Sequence, residues 1–306
     1  MTNPPLIDAH CHWFSNPFFQ ALAEESPMAG TVHQRMALVQ ESTGLQMPDE
    51  DDSVHRRNWL AEMEESSVDR LVIFSSHPKE SGTVAEAAAA APKQLTGVAV
   101  INPNAEGAAQ KARTLLVERG MRGLLMFPAQ HGFRIDSPLV DPVLEEIAAV
   151  QGVCYVHCGL FKVPLRDHFG LKRTANPSLA NPLYLVPAAD RHPNVNFIIP
   201  HFGAGMFRET LMAGMQCRNI STDTSSSNGW IRTQSQSLTL KDVFERALDA
   251  FGTKRVLFGT DSGPFPAGWR EDRLSEQSSI VRSLGGSADE YGQIFGGNIA
   301  RLLDLS

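Results

Sequence analysis

Ile7-Asp8-Ala9-His10-Cys11-His12 ends the first apolar run of the chain. Residues two apart on a strand point to the same side. His10 and His12 are therefore expected to face one point in space, as the first two ligands of a divalent cation do. The pair also has a plainer reading, two half-exposed imidazoles at a strand end, and the motif alone leaves both open.

The first run (Leu6–His10) is followed by seven more: Arg70–Ser75, Thr96–Ile101, Gly123–Phe127, Val153–His157, Val195–Ile199, Asn219–Thr224 and Arg255–Asp261. Helix formers lie between them, at Ala85–Ala91, Ala105–Arg119, Leu139–Val150, Leu238–Phe251 and Arg270–Leu284, and Asp289–Leu305 reads as a closing helix. Strands that are apolar throughout and alternate with helices imply a parallel sheet covered on its outer face. The expected fold is therefore α/β, a single (β/α)8 TIM barrel over residues 1–306; an open doubly wound sheet is the alternative. No Gly-x-Gly-x-x-Gly follows the first strand, which weakens a dinucleotide-binding version of that alternative. Residues 13–54 are read as an insertion over the barrel mouth, not a separate domain. Residues 159–181 form a long loop after the fifth strand.

At 306 residues and 42% apolar content the chain can bury a large core. Its net charge of −7 disfavours nucleic acid as a partner. No run is long enough to span a membrane, and the N-terminal Asn3-Pro4-Pro5 does not read as a secretory leader. The scattered Cys11, Cys154, Cys158 and Cys217 suggest reduced thiols and a cytoplasmic location. Cys154 and Cys158 lie on the opposite strand face from His157 and are expected to pack in the core.

In a barrel, functional groups collect at the C-terminal ends of the strands. Here those ends carry His10 and His12, His157, His201 and Asp261. Buried Val/Ile/Leu strands have no packing reason to end repeatedly in His or Asp. Three imidazoles and a carboxylate suit one borderline-soft divalent ion and leave a position for water.

These residues resemble the amidohydrolase superfamily. The branch called amidohydrolase family 2, which includes aminocarboxymuconate-semialdehyde decarboxylase, is the nearest in pattern. The other matching stretches are Val156-His157-Cys158-Gly159, Pro200-His201-Phe202-Gly203-Ala204-Gly205, Leu257-Phe258-Gly259-Thr260-Asp261 and Gly297-Asn298-Ile299-Ala300-Arg301-Leu302-Leu303, in the family's order over essentially the whole chain. The resemblance implies one divalent ion, Zn2+ or else Mn2+, held by His10, His12, His157 and Asp261. It implies that His201 orients water and polarises substrate beside the ion, with Asp261 also catalytic. One departure matters: the fourth strand ends Leu125-Met126-Phe127-Pro128, without the lysine that bridges two metals in many superfamily members. A mononuclear site follows.

The expected reaction is hydrolysis, a metal-activated water attacking an amide, ester or lactone carbonyl of a small anionic substrate. The same site runs decarboxylation of unsaturated or aromatic acids in the resembling family, which is the alternative. A metal-free barrel acting as a binding module is a third reading. The loop after the fifth strand carries Lys162, Arg166, Lys172 and Arg173 against a single acid, Asp167, and Arg56 and Arg57 precede the second strand. These are candidates to clamp a substrate carboxylate, Arg57, Lys162 and Arg166 first among them, against the reading that they are solvated loop charges. His77 and His131 follow the second and fourth strands and share the rim. Trp13, Phe14, Phe161, Phe169 and Trp230 are placed near the mouth. His33, His55 and His168 are expected at the surface and His192 at the far end. Gly203-Ala204-Gly205 is read as close packing. A homodimer is expected by analogy with the family.

Overall fold

The computed structural model describes residues 4–305. Strands β1 (Ile7–His12), β2 (Arg70–Phe74), β3 (Leu95–Ile101), β4 (Gly123–Met126), β5 (Val153–Val156), β6 (Asn196–Ile199), β7 (Ile220–Asp223) and β8 (Val256–Leu257) pair in that order, every pair parallel. The chain closes on itself where Ala9 N donates to Phe258 O (2.9 Å), Asp261 N to His10 O (2.9 Å) and His12 N to Ser262 O (3.1 Å). The result is a (β/α)8 barrel.

β8 is shorter than the run Arg255–Asp261 suggested. Its ladder stops at Leu257, and Asp261 has φ 59°, a left-handed conformation that cannot extend a strand. β1 is longer than expected and contains the departure that aims the site. Its pairing with β2 steps from Asp8↔Leu71 to Cys11↔Ile73, so β1 spends one extra residue there. Ile7 and Ala9 pack inside the barrel, whereas Cys11 packs outside among the helices. Strict alternation from Ile7 would have turned His10 and His12 outward as well. The bulge reverses the parity, and the His10 ring meets Phe74 and Tyr155 of the interior.

Two helices, α1 (Asn16–Glu25) and α2 (Val32–Thr43), occupy the segment after β1; α3 (Asp52–Glu65) then leads to β2. Thr31 and Gln34 form a capping box on α2. The helices that follow are α4 (Ser81–Ala90), α5 (Ala108–Arg113), α6 (Pro128–His131), α7 (Asp141–Ala149), α8 (Pro164–His168) and α9 (Leu185–Arg191). Then come α10 (Phe207–Gln216), α11 (Leu240–Phe251), α12 (Glu271–Ser283), α13 (Ala288–Gly292) and α14 (Asn298–Leu302). The single helix expected over Ala105–Arg119 begins at Ala108 and ends in a wide π turn at Thr114–Glu118.

The core has two layers. An outer layer, including Trp59, Leu71, Ile73, Leu144 and Phe244, fills the space between sheet and helices. An inner layer, including Val72, Val100, Leu125, Tyr155 and Ile198, fills the barrel, and Ile299 and Leu302 of α14 join it. With that interior packed, open space remains at the C-terminal ends of the strands. No helix of the described residues is long and apolar enough to cross a membrane.

Candidate metal centre and active site

His10, at the end of β1, is buried with its Nδ1 2.8 Å from Asp223 Oδ2. Its Nε2 is buried and has no hydrogen-bond partner. His12 sets Nδ1 against Ser76 Oγ (2.6 Å) and Nε2 against Asp261 Oδ1 (3.3 Å). One ligand atom from each of His10, His201 and Asp261 lies within 4.8 Å of the others. The His157 ring is centred 5.2 Å from that of His201, and its Nδ1 is buried without a partner. The five rim residues of the sequence therefore meet in one place. The tightest triple includes His201, which the resemblance had set beside the ion instead of among its ligands.

Asp223, at the end of β7, organises the cluster. Nothing in its local sequence marks it: Ser221 and Thr222 precede it, and its partner His10 lies 213 residues away. Oδ2 takes His10 Nδ1. Oδ1 accepts from His201 N (2.9 Å) and Ser225 N (3.0 Å), and Ser225 Oγ donates to it as well. Burial pushes the Asp223 carboxyl up, but the imidazole of His10 and the surrounding donors outweigh it and hold it below the usual range. An ionised Asp223 fixes two tautomers. The His10 Nδ1 carries the proton, leaving the Nε2 lone pair free. Ser225 Oγ has one proton and gives it to Asp223, so it must accept from His201 Nδ1 at 2.7 Å. His201 Nε2 then also carries a lone pair. Two imidazole lone pairs and a carboxylate directed at one small volume are a donor set for a borderline divalent cation.

The charge balance agrees. Burial raises the Asp261 carboxyl, yet His201 and His12 beside it overcome that and hold it well below the ordinary carboxylate range. Burial lowers His10, but Asp223 outweighs it and raises the group. His157 and His201 are both lowered, burial being the largest cause. The cluster attracts positive charge while keeping most of its imidazoles neutral.

Backbone strain holds the groups in place. His201 (φ 58°), Phe202 (52°), Gly203 (84°), Ala204 (43°) and Gly205 (102°) are all left-handed, at about 1–2 kcal/mol for each non-glycine residue. A Cβ on Gly203 would meet Thr210 Oγ1 at 1.9 Å, and one on Gly159 would meet Gly203 O at 2.2 Å. The glycines thus serve close packing. Beneath them, Asp8 accepts from His10 N (2.9 Å), Thr260 N (3.1 Å) and Trp269 Nε1 (2.8 Å), tying β1 to the segment that bears Asp261. Burial pushes its carboxyl up to about 6, with those donors opposing.

Above the cluster opens a cavity of about 760 Å3. His12, His157, His201 and Asp261 form its floor, and His10 lies deeper. Phe14, Phe18 and Leu22, from α1 and the segment before it, share the walls with Phe127, Phe161 and Trp230. Of the candidate substrate residues, Lys162, Arg166 and His77 line it. His131 does not, and lines a smaller adjoining pocket. Arg57 lies outside both: it is exposed on α3 and donates to Ser53 Oγ at 2.9 Å. Its helix runs outside the barrel and turns that residue to solvent. Trp13 and Phe169 are wholly buried in the packing instead of facing the mouth. His55, expected at the surface, is buried beside Trp59, with Nε2 2.7 Å from Trp13 O. Arg232 and Arg270 line the cavity although no motif marked them.

The family model described as Amidohydrolase (Amidohydro_2) matches residues 7–305. The chain belongs to the amidohydrolase family. No curated protein sequence matches this amidohydrolase. Among solved structures it is similar to 5-carboxyvanillate decarboxylase LigW from Sphingomonas paucimobilis, with TM-score 0.65, 17% identity and coverage of 99% of this chain and 100% of that one. It is similar to a probable 2-pyrone-4,6-dicarboxylic acid hydrolase from Acinetobacter baumannii with citric acid bound (TM-score 0.64, 13% identity, 99% and 100% covered). A third is the 5-carboxyvanillate decarboxylase of Novosphingobium aromaticivorans, complexed with manganese and 4-hydroxy-3-methoxy-5-nitrobenzoic acid (TM-score 0.63, 13% identity, 98% and 96% covered). At these identities the likeness is one of fold. Members of the family are metal-dependent enzymes, and this amidohydrolase is one of them.

Proposed function

We propose that this amidohydrolase hydrolyses an amide, ester or lactone carbonyl in a small carboxylate-bearing substrate, with His10, His12, His157 and Asp261 holding one divalent ion and His201 at its side. The observation that carries this reading is the convergence of the rim side chains: Asp261 Oδ1 lies 3.3 Å from His12 Nε2 and 3.8 Å from His10 Nε2, with the His157 ring 5.2 Å from that of His201. A divalent ion bound there supplies Lewis-acid polarisation of the carbonyl and lowers the pKa of water toward about 7. Zinc suits the imidazole-rich set; manganese is the second candidate, since it occupies a neighbour of the same fold.

The chain's own residues then do the following. Asp261 is the only acid among the lining residues. Ionised at neutral pH, it accepts the proton of the attacking water and returns it to the leaving group. His201, with Nδ1 committed to Ser225, presents the Nε2 lone pair and orients that water by accepting a hydrogen bond. Lys162 and Arg232 line the mouth without an acid in ion-pair range among the described residues, whereas Arg166 pairs with Glu25 and Arg270 with Asp272. The two unpaired cations anchor the substrate carboxylate. All four cysteines are buried and free, which supports a reducing, cytoplasmic setting.

Decarboxylation is the second reading, favoured by the wall of Phe14, Phe18, Phe127, Phe161 and Trp230, which suits an aromatic acid. Incubating the zinc- or manganese-loaded enzyme with lactones, esters and aromatic acids in 18O-labelled water separates the two. Label entering a new carboxylate supports hydrolysis. Carbon dioxide release without label in the remaining product supports the second reading.

A further inference from the structure

A second, smaller pocket of about 170 Å3 adjoins the main cavity and shares Gln130, Phe161, Val163 and Arg166 with it. Its own walls add His131, Lys172, Arg173 and Thr174. Three cations therefore surround one small space, and no acid lines it. The acids that pair with two of them bond from outside the walls. Glu25 reaches Arg166 at 3.3 Å, and Asp167 holds Arg173 through Nε at 2.8 Å and through Nη2. Lys172 has no acid in ion-pair range among the described residues. His131 also lines it, with its Nδ1 buried away from the space and unpartnered. Burial and the nearby His77 push this imidazole down to about 4, so it is neutral near pH 7 and adds no charge to the wall.

Arg166 and Arg173 keep their acids outside the wall, and Lys172, exposed at the pocket's edge, has none, so the space carries net positive charge that favours a counter-charge among them. A small oxyanion supplies that counter-charge and accepts from Lys172, Gln130 and Thr174. The volume suits one carboxylate or phosphate group with its bridging water. Between this pocket and the rim histidines lies apolar wall, Phe161 and Phe127, which suits an uncharged middle.

We propose that this side pocket is an anion subsite, taking a carboxylate or phosphate at the remote end of a substrate whose reacting carbonyl lies at the histidine–aspartate cluster. The placement of the reacting end rests on the function proposed above; the anion site itself does not. The substrate class is then an acid with a second anionic group, separated from the reacting carbon by an apolar segment.

The test is calorimetric and has two arms. In the first, inorganic phosphate is titrated into metal-stripped protein. One equivalent is expected to bind there, weakened at least tenfold in Lys172→Gln and further in Lys172→Glu. Lys111→Gln, exposed on α5, is expected to leave it within twofold. In the second, α,ω-dicarboxylates from malonate to suberate are titrated into manganese-loaded protein. An optimum chain length that Lys172→Gln abolishes assigns the anion to the substrate. Phosphate binding with no such optimum keeps the anion site and rejects its place in the substrate's path. Absent phosphate binding, or binding that Lys172→Gln leaves within twofold, overturns the proposal. The phosphate arm needs neither metal nor turnover, so its failure is distinct from failure of the hydrolase reading.

Discussion

Asp223 Oδ2 accepts from His10 Nδ1 at 2.8 Å, and through its other oxygen the same carboxylate holds the His201 backbone and Ser225. One buried acid on β7 thus sets the ring orientation of a histidine on β1 and another after β6. Coupling of this kind makes the cluster a unit.

Asp223→Asn keeps the shape but offers one neutral oxygen where two charged ones stood. The amide can accept from His10 or from Ser225 and the His201 backbone, but not from both sides. Metal affinity is expected to fall 10–100-fold, with zinc and manganese titration as the measurement. The far-ultraviolet circular dichroism of the variant should match the parent.

Gly159→Ala tests the strained turn. The new Cβ would strike Gly203 O and Ala204 O, which are backbone and cannot swing aside, at a φ of 74° that disfavours any Cβ. A loss of about 3 kcal/mol is expected, read by denaturant unfolding. Metal affinity should drop with it, because the displaced turn carries His201.

Arg57→Ala should leave kcat/KM within twofold, since that side chain bonds only to Ser53 at the surface. Arg232→Ala should lower kcat/KM at least tenfold, mostly through KM, because its unpaired guanidinium lines the cavity. Steady-state kinetics on whichever substrate the labelling screen identifies decides this.

The His131 imidazole, pushed down to about 4 by burial and by His77, binds its proton more weakly in the folded protein than in the unfolded chain, where it titrates near 6.5. Its contribution to stability is therefore complete above about pH 6.5 and lost as pH falls through about 4. His131→Gln should flatten the decline of melting temperature across that window and leave the slope above pH 7 unchanged.

The barrel was legible in the sequence because buried parallel strands carry an uninterrupted apolar signal and the intervening helices carry a periodic one. The rim residues were legible for the opposite reason: His and Asp interrupt those runs where packing gives them no purpose. Position relative to the barrel wall was harder. Arg57 and His55 lie two residues apart on α3, one in solvent and one under Trp13, and a helix of weak amphipathicity does not announce which is which. The bulge in β1 was invisible, since the extra residue shows only in its pairing with β2. Asp223 was missed because its role lies in a contact 213 residues distant along the chain.

His10 and Asp261, with their neighbours on the rim, are proposed to grip one divalent cation. Elemental analysis of the purified protein, repeated after chelation and reloading with zinc or manganese, tests it most directly. About one equivalent per chain is expected in the parent, and less than a tenth of that in His10→Ala and Asp261→Ala. A parent that takes up no metal after reloading, or variants that retain a full equivalent, would contradict it.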